Sequence, residues 1–162
     1  MIKRLSLRIG FCLLALASFG LVAAGVVMGE MLRLQACPLC IFQRVLYLGV
    51  GGFALAGAVL PAGRLLWLVP AGGIALWGAG VAGYQSWLQA FPDPSLECNY
   101  ADPNLIERLV DWLGQQSPML FMATGFCSSR EWEFLGMSMA NWSVVCFMAL
   151  LAWIVLLVRH RG

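Results

Sequence analysis

Apolar positions gather along this chain into four long runs: Ile9 to Met28, Ile41 to Leu60, Leu65 to Tyr84 and Trp142 to Val158. A helix needs about 20 residues to cross a hydrocarbon core of roughly 30 Å, with about 17 as the lower limit, so each run is long enough to span. Arg44 is the only charge inside them. Backbone polar groups in lipid must bond within their own segment, so the runs are predicted to be helices and the fold class is all-α. The expected architecture is an integral membrane four-helix bundle in a single domain, residues 1–162.

Within the runs, small residues recur at spacings of four: Gly20 and Ala24, Gly52 and Ala56, and Ala75, Ala79 and Gly83. Such stripes let helix backbones approach closely. Between the third and fourth runs the pattern changes. Leu105, Ile106, Leu109, Val110 and Leu113 share one helical face, with Asn104, Glu107, Arg108 and Asp111 on the other. Asp102 and Pro103 read as its N-cap and first residue, so a short amphipathic helix is expected to lie on the membrane surface or cover the bundle. Ser128 and Glu131 have capping-box spacing and predict a second short helix just after Cys127. Pro118 to Met122 is apolar enough to dip into the interface.

Composition agrees with this picture. Hydrophobic residues make up 61% of the 162 and charged residues only 11%, against roughly a quarter charged in a soluble domain. The net charge of +2 matters less than where the charges fall. Lys3, Arg4, Arg8, Arg64, Arg159 and Arg161 occupy the two ends and the 61–64 turn without any acidic companion. All eight acids (Glu30, Asp93, Glu97, Asp102, Glu107, Asp111, Glu131 and Glu133) fall in loops 29–40 and 85–141. By the positive-inside rule both ends are cytoplasmic and those two loops face outward. Trp87, Trp132 and Trp142 fit an aromatic belt at the outer boundary.

The first run also has the outline of a signal peptide, with a basic start and a small-residue patch at Ala23, Ala24 and Gly25. Its apolar stretch is longer than the usual signal core, and a retained anchor is expected. Two other motifs carry no function. Gly49, Gly51 and Ala54 match a dinucleotide fingerprint but lie inside a span, without the strand and exposed phosphate that motif requires. The sequon at Asn141 to Ser143 presses against the bilayer.

Chemistry concentrates in the six cysteines. Cys37, Pro38, Leu39 and Cys40 form a Cys-x-x-Cys pair where the short outer loop enters the second run. Residues three apart share a helical face, and Pro38 suits a first turn. A helix N-terminus and a nearby cation both favour a thiolate, and Arg44 supplies that cation one turn beyond Cys40. A structural zinc site needs four ligands, and the only histidine, His160, is predicted on the opposite side, so redox chemistry is favoured over metal binding.

Cys98 and Cys127 stand in the longer outer loop, with 28 residues between them. Taken alone they read as a structural disulfide, stabilising the folded loop by roughly 3 to 4 kcal/mol. On the same side as the Cys-x-x-Cys pair, they also form a possible two-step relay by thiol–disulfide exchange. Four outer cysteines allow three connectivities, and the sequence does not choose among them. Arg44 either snorkels to the interface or stabilises a Cys40 thiolate and an anionic oxygen on a bound acceptor; a charge within a span favours function. Cys12 and Cys146 read as small buried hydrophobes outside the mechanism.

Cys37-Pro-Leu-Cys40-Ile-Phe-Gln-Arg44 and Cys127-Ser-Ser-Arg-Glu-Trp-Glu-Phe-Leu-Gly136, ahead of Trp142, resemble the DsbB family of bacterial inner-membrane thiol oxidases. The likeness covers essentially the whole chain. It implies an oxidoreductase that reoxidises a periplasmic DsbA-type partner and passes electrons to ubiquinone, or to menaquinone without oxygen. By the same resemblance Cys98 and Cys127 form a disulfide that reduced DsbA attacks at Cys98. The released Cys127 then attacks Cys37, and Cys40 leaves as a thiolate beside a quinone held near Arg44. Gln43 stands where the best-studied relative has a glutamate, which leaves a proton-handling role there open. No flavin motif and no haem or metal ligands are found, and no nucleic-acid partner is expected. Two other readings compete: a vitamin K epoxide reductase-like enzyme, whose two cysteine pairs come in the reverse order, and a non-catalytic tetraspan protein stapled by disulfides.

Overall fold

A computed structural model of the chain describes residues 2–60, 63–92, 104–130 and 132–159. Four helices are long and apolar enough to cross a membrane: α1 (Ile2–Leu32), α2 (Pro38–Val59), α3 (Arg64–Ala90) and α6 (Met139–Arg159). Between the last two lie α4 (Leu105–Gln116), α5 (Pro118–Phe121) and a two-stranded hairpin, β1 (Glu133–Phe134) and β2 (Met137–Ser138). Cys98, Asp102, Pro103, Glu131 and His160 fall outside the described residues.

The long helices form a ring in the order α1, α2, α3, α6, each packed closely on the next. The closing contact, between α6 and α1, is much the slightest. Aromatic side chains lock the closed seams by entering glycine sockets. A side chain at Gly57 would run into the Phe11 ring, one at Gly51 into Phe19, and one at Gly78 into Phe147. These sockets differ from the expected stripe. Gly20, Gly52 and Gly83 face open space, because spacing alone does not say which flank of a helix meets its neighbour. Across the ring, the Tyr47 and Phe147 rings stack 4.0 Å apart.

Three helix boundaries depart from the apolar runs, and each departure bears on the site. α1 continues past Glu30 until Arg33 takes a left-handed φ of 51° and the Leu34 N–H bonds back to Gly29 at 2.9 Å, closing the helix end. α2 begins at Pro38, so Cys37 is its N-cap. α3 runs six residues beyond Tyr84, through Gln85 and Gln89. Their polarity marks the end of the apolar run, but both side chains are buried with hydrogen-bond partners, so the helix keeps going.

The long loop also differs from expectation. The N-cap of α4 is Asn104, whose side chain accepts from the Ile106 and Glu107 N–H groups while the Glu107 carboxylate accepts from the Asn104 N–H. That capping duty folds Glu107 inward and buries it with Val110, while Leu105 is 83% exposed. Where a second helix is predicted after Cys127, the chain makes a tight turn and then the hairpin. Ser129 closes the turn through its N–H and hydroxyl to the Phe126 carbonyl. Leu135 and Gly136 both take positive φ, the signature of a two-residue hairpin turn. Phe134 then packs between Trp132 and Trp142, and the Trp142 indole N–H bonds its carbonyl at 3.1 Å.

Candidate active site

The site grows from the first turn of α2. Cys37 is held in extended backbone as N-cap, and its sulfur accepts the Cys40 N–H at 3.2 Å, the role a serine or aspartate oxygen plays elsewhere. Pro38, which has no N–H to satisfy, starts the helix. The turn brings the two sulfurs to 2.7 Å. Cys37 is only 2% exposed. Burial pushes its thiol well above the usual range, and contacts with the Cys127 and Cys40 thiols add to the effect.

α3 supplies the polar partner of this pair. The Gln85 side-chain amide donates to the Cys40 sulfur at 3.0 Å and to the Cys37 sulfur at 3.2 Å. Its oxygen accepts from the Gln43 amide at 2.7 Å. One turn on, Gln89 grips the segment after Cys127. It donates to the Ser129 carbonyl at 3.1 Å and accepts the Ser138 hydroxyl at 2.6 Å, while its own carbonyl takes the Arg130 guanidinium at 2.8 Å.

A second set of bonds docks the same segment onto the Cys37 loop. The Thr124 and Gly125 N–H groups both donate to the Ala36 carbonyl, at 2.9 and 3.1 Å. Gly125 lies against Gln35 with no room for a Cβ. Held from both sides, Cys127 is fully buried, and its thiol lies near enough to Cys37 to act on that thiol's ionisation. Three of the four predicted site cysteines therefore meet at one point, with Cys98 outside the described residues.

Arg44 lies one turn below. Its guanidinium donates to the Leu120 carbonyl of α5 at 2.9 Å and to the Gly25 carbonyl of α1 at 3.3 Å, so it is tied to protein rather than free at the interface. With Cys40, Gln43 and Gln85 it faces a cavity of about 180 Å³ in the weakly closed seam between α1 and α6. Leu21, Met28, Tyr47, Trp142 and Cys146 form much of its apolar wall. Cys146, set aside on sequence, thus borders the site, while Cys12 is exposed on the outside of α1. Gln85, Gln89, Gly125 and Ala36 are the residues that sequence reasoning missed. A glutamine at each of two positions one turn apart, just beyond an apolar run, is the only signal it offered.

Cysteine sulfurs gathered at one end of four membrane-length helices are the layout of a membrane thiol–disulfide enzyme. The model of the family "Disulfide bond formation protein DsbB" matches residues 7–157. A disulfide bond formation protein B of Dechloromonas aromatica is 56% identical over 155 residues, covering 96% of this chain and 94% of its own. Namesakes from Paracidovorax citrulli and Aromatoleum aromaticum are 37% and 35% identical, over 91% and 88% of this chain and 85% and 87% of theirs. This chain belongs to the DsbB family, and is a multi-pass membrane oxidoreductase of disulfide bond formation.

Proposed function

We propose that the protein reoxidises a periplasmic DsbA-type dithiol and delivers the two electrons to a membrane quinone, ubiquinone or menaquinone. In this reading it sits in the bacterial inner membrane with both ends cytoplasmic and Cys37, Cys40, Cys98 and Cys127 periplasmic. The observation that carries it is the placement of Cys127 on Cys37, while Cys40 borders a largely apolar cavity in the α1–α6 seam.

The client thiolate attacks Cys98 of a Cys98–Cys127 disulfide, forming a mixed disulfide and releasing Cys127 as a thiolate. The client's second thiol then resolves the mixed disulfide, leaving the client oxidised. The burial of Cys127 supports Cys98 as the point of attack, since an external protein has no approach to a fully covered sulfur. Cys127 next attacks Cys37. The Cys127–Cys37 bond forms, the Cys37–Cys40 bond breaks, and its electron pair stays on Cys40. The Cys98 thiolate, freed when the client was oxidised, then attacks Cys127, re-forming the Cys98–Cys127 bond and releasing Cys37 as a thiolate. Arg44 sets a fixed positive charge beside the cavity that Cys40 borders, in surroundings where charge is weakly screened.

The cavity suits a quinone head group: its wall is largely apolar, and the Arg44 guanidinium, which has five N–H groups, lines it as a donor for a carbonyl oxygen. Bound there, a quinone supplies the two-electron oxidation that restores the Cys37–Cys40 disulfide. Quinone reduction by purified protein with reduced DsbA tests the reading. Turnover is expected to vanish in Cys40→Ser and to fall at least tenfold in Arg44→Ala, and undiminished turnover in Cys40→Ser would overturn it.

A further inference from the structure

We infer that Gln85 is a catalytic hydrogen-bond donor to the sulfurs of Cys37 and Cys40, and that Gln43 is the positioning residue that holds it in the donating orientation. The inference rests on the reading above, in which the Cys37–Cys40 disulfide is broken by attack of Cys127.

A side-chain amide has one accepting and one donating end, and the two are nearly the same shape. What orients it is its neighbours. Here the Gln85 oxygen is taken by the Gln43 amide at 2.7 Å, which turns the Gln85 nitrogen and its two N–H groups toward the two sulfurs, at 3.0 and 3.2 Å. Both glutamines are almost wholly covered, Gln43 at 5% and Gln85 at 2% exposure. Burying two amides among apolar helices is costly unless their bonds are made, and this pair makes them with each other and with the two cysteine sulfurs. Gln43 lies three residues beyond Cys40 on the same helix yet bonds Gln85 rather than a sulfur, so it acts through Gln85.

The exchange step shows what the arrangement does. Negative charge arrives on the Cys127 thiolate. As the Cys127–Cys37 bond forms and the Cys37–Cys40 bond breaks, that charge appears on Cys40. Poorly hydrated surroundings penalise a bare thiolate, and a donor fixed before the reaction stabilises it without reorganising. Gln85 reaches both sulfurs of the breaking bond, so it serves the charge wherever it lies between them.

Replacing Gln43 by glutamate separates orientation from packing. An ionised carboxylate only accepts, so Gln85 has to turn its nitrogen toward residue 43 and present its oxygen to the sulfurs, where it repels a thiolate.

The test uses full-length protein in lipid nanodiscs with a soluble quinone and reduced DsbA. Two quantities are read: turnover, and the pH at which reduced Cys40 becomes half-alkylated. Gln85→Leu, which keeps the volume and removes the donor, is expected to raise that pH by about one unit and cut turnover about tenfold. Gln43→Glu is expected to move both in the same direction. Where Gln85→Leu does not fold, Gln85→Glu keeps the shape and is expected to raise the alkylation pH still further. Folded Gln85 variants with wild-type turnover and an unmoved alkylation profile overturn the inference while Cys40→Ser remains dead. An active Cys40→Ser protein removes the relay itself, so the two failures are told apart.

Discussion

Gly125 lies against the Gln35 carbonyl so closely that the backbones of two loops meet with no side chain between them. The contact seats the turn that carries Cys127, and the neighbouring bonds from Thr124 and Gly125 to Ala36 hold it there. Gly125→Ala puts a methyl group into that contact and is expected to lift the turn. The yield of trapped Cys37–Cys127 disulfide should fall at least tenfold, while the reduction potential of the Cys37–Cys40 pair stays as in the wild type. Mass spectrometry of alkylated, digested protein measures both, and a wild-type yield of the crosslink would remove Gly125 from the docking account.

Burial favours the protonated form of Cys37, because a thiolate there loses its hydration. Its alkylation in folded, fully reduced protein is therefore expected to begin at higher pH than in the same protein unfolded in detergent. A pH series of labelling, mapped peptide by peptide, reads the difference. Coincident curves for the two states would show that Cys37 is not shielded.

Cys146 borders the cavity in the α1–α6 seam without bonding to either redox sulfur. Cys146→Phe fills part of that space. The KM for quinone should rise several-fold, with the rate of client oxidation in a single turnover unchanged. Steady-state and single-turnover assays on one preparation separate these effects, and an unchanged KM would place the acceptor elsewhere.

Phe147 occupies the space where a side chain at position 78 would stand, whereas Gly83 faces nothing within 4 Å. Gly78→Ala is expected to destabilise the bundle by about 1–3 kcal/mol through overpacking. Gly83→Ala should be close to neutral or slightly stabilising, since alanine favours helix over glycine. Thermal unfolding in detergent, followed by circular dichroism, ranks them, and equal midpoints would contradict the socket description.

The four spans were legible because lipid demands long unbroken apolar runs, a signal that needs no tertiary information. Their ends were not. Gln85 and Gln89 read as water-facing loop because a glutamine's partner, here a sulfur from another helix or a turn forty residues away, leaves no trace in its own neighbourhood. Cys37, Cys40 and Arg44 announced themselves through local spacing. Cys127 was visible as a cysteine, but its contact with Cys37 depends on Gly125 and Ala36, whose contribution is bare backbone. The hairpin was missed for a similar reason. Ser128 and Glu131 matched a helix start, while Gln89 and Phe126 drew the neighbouring residues into a turn.

The docked turn seals two sulfurs at once: Cys37 is 2% exposed and Cys127 not at all. Glutathione and other small thiols dissolved in the surrounding water find neither atom within reach. In the relay proposed above these two sulfurs exchange with other cysteines of the chain, so the docked turn keeps that junction apart from the aqueous thiol pool.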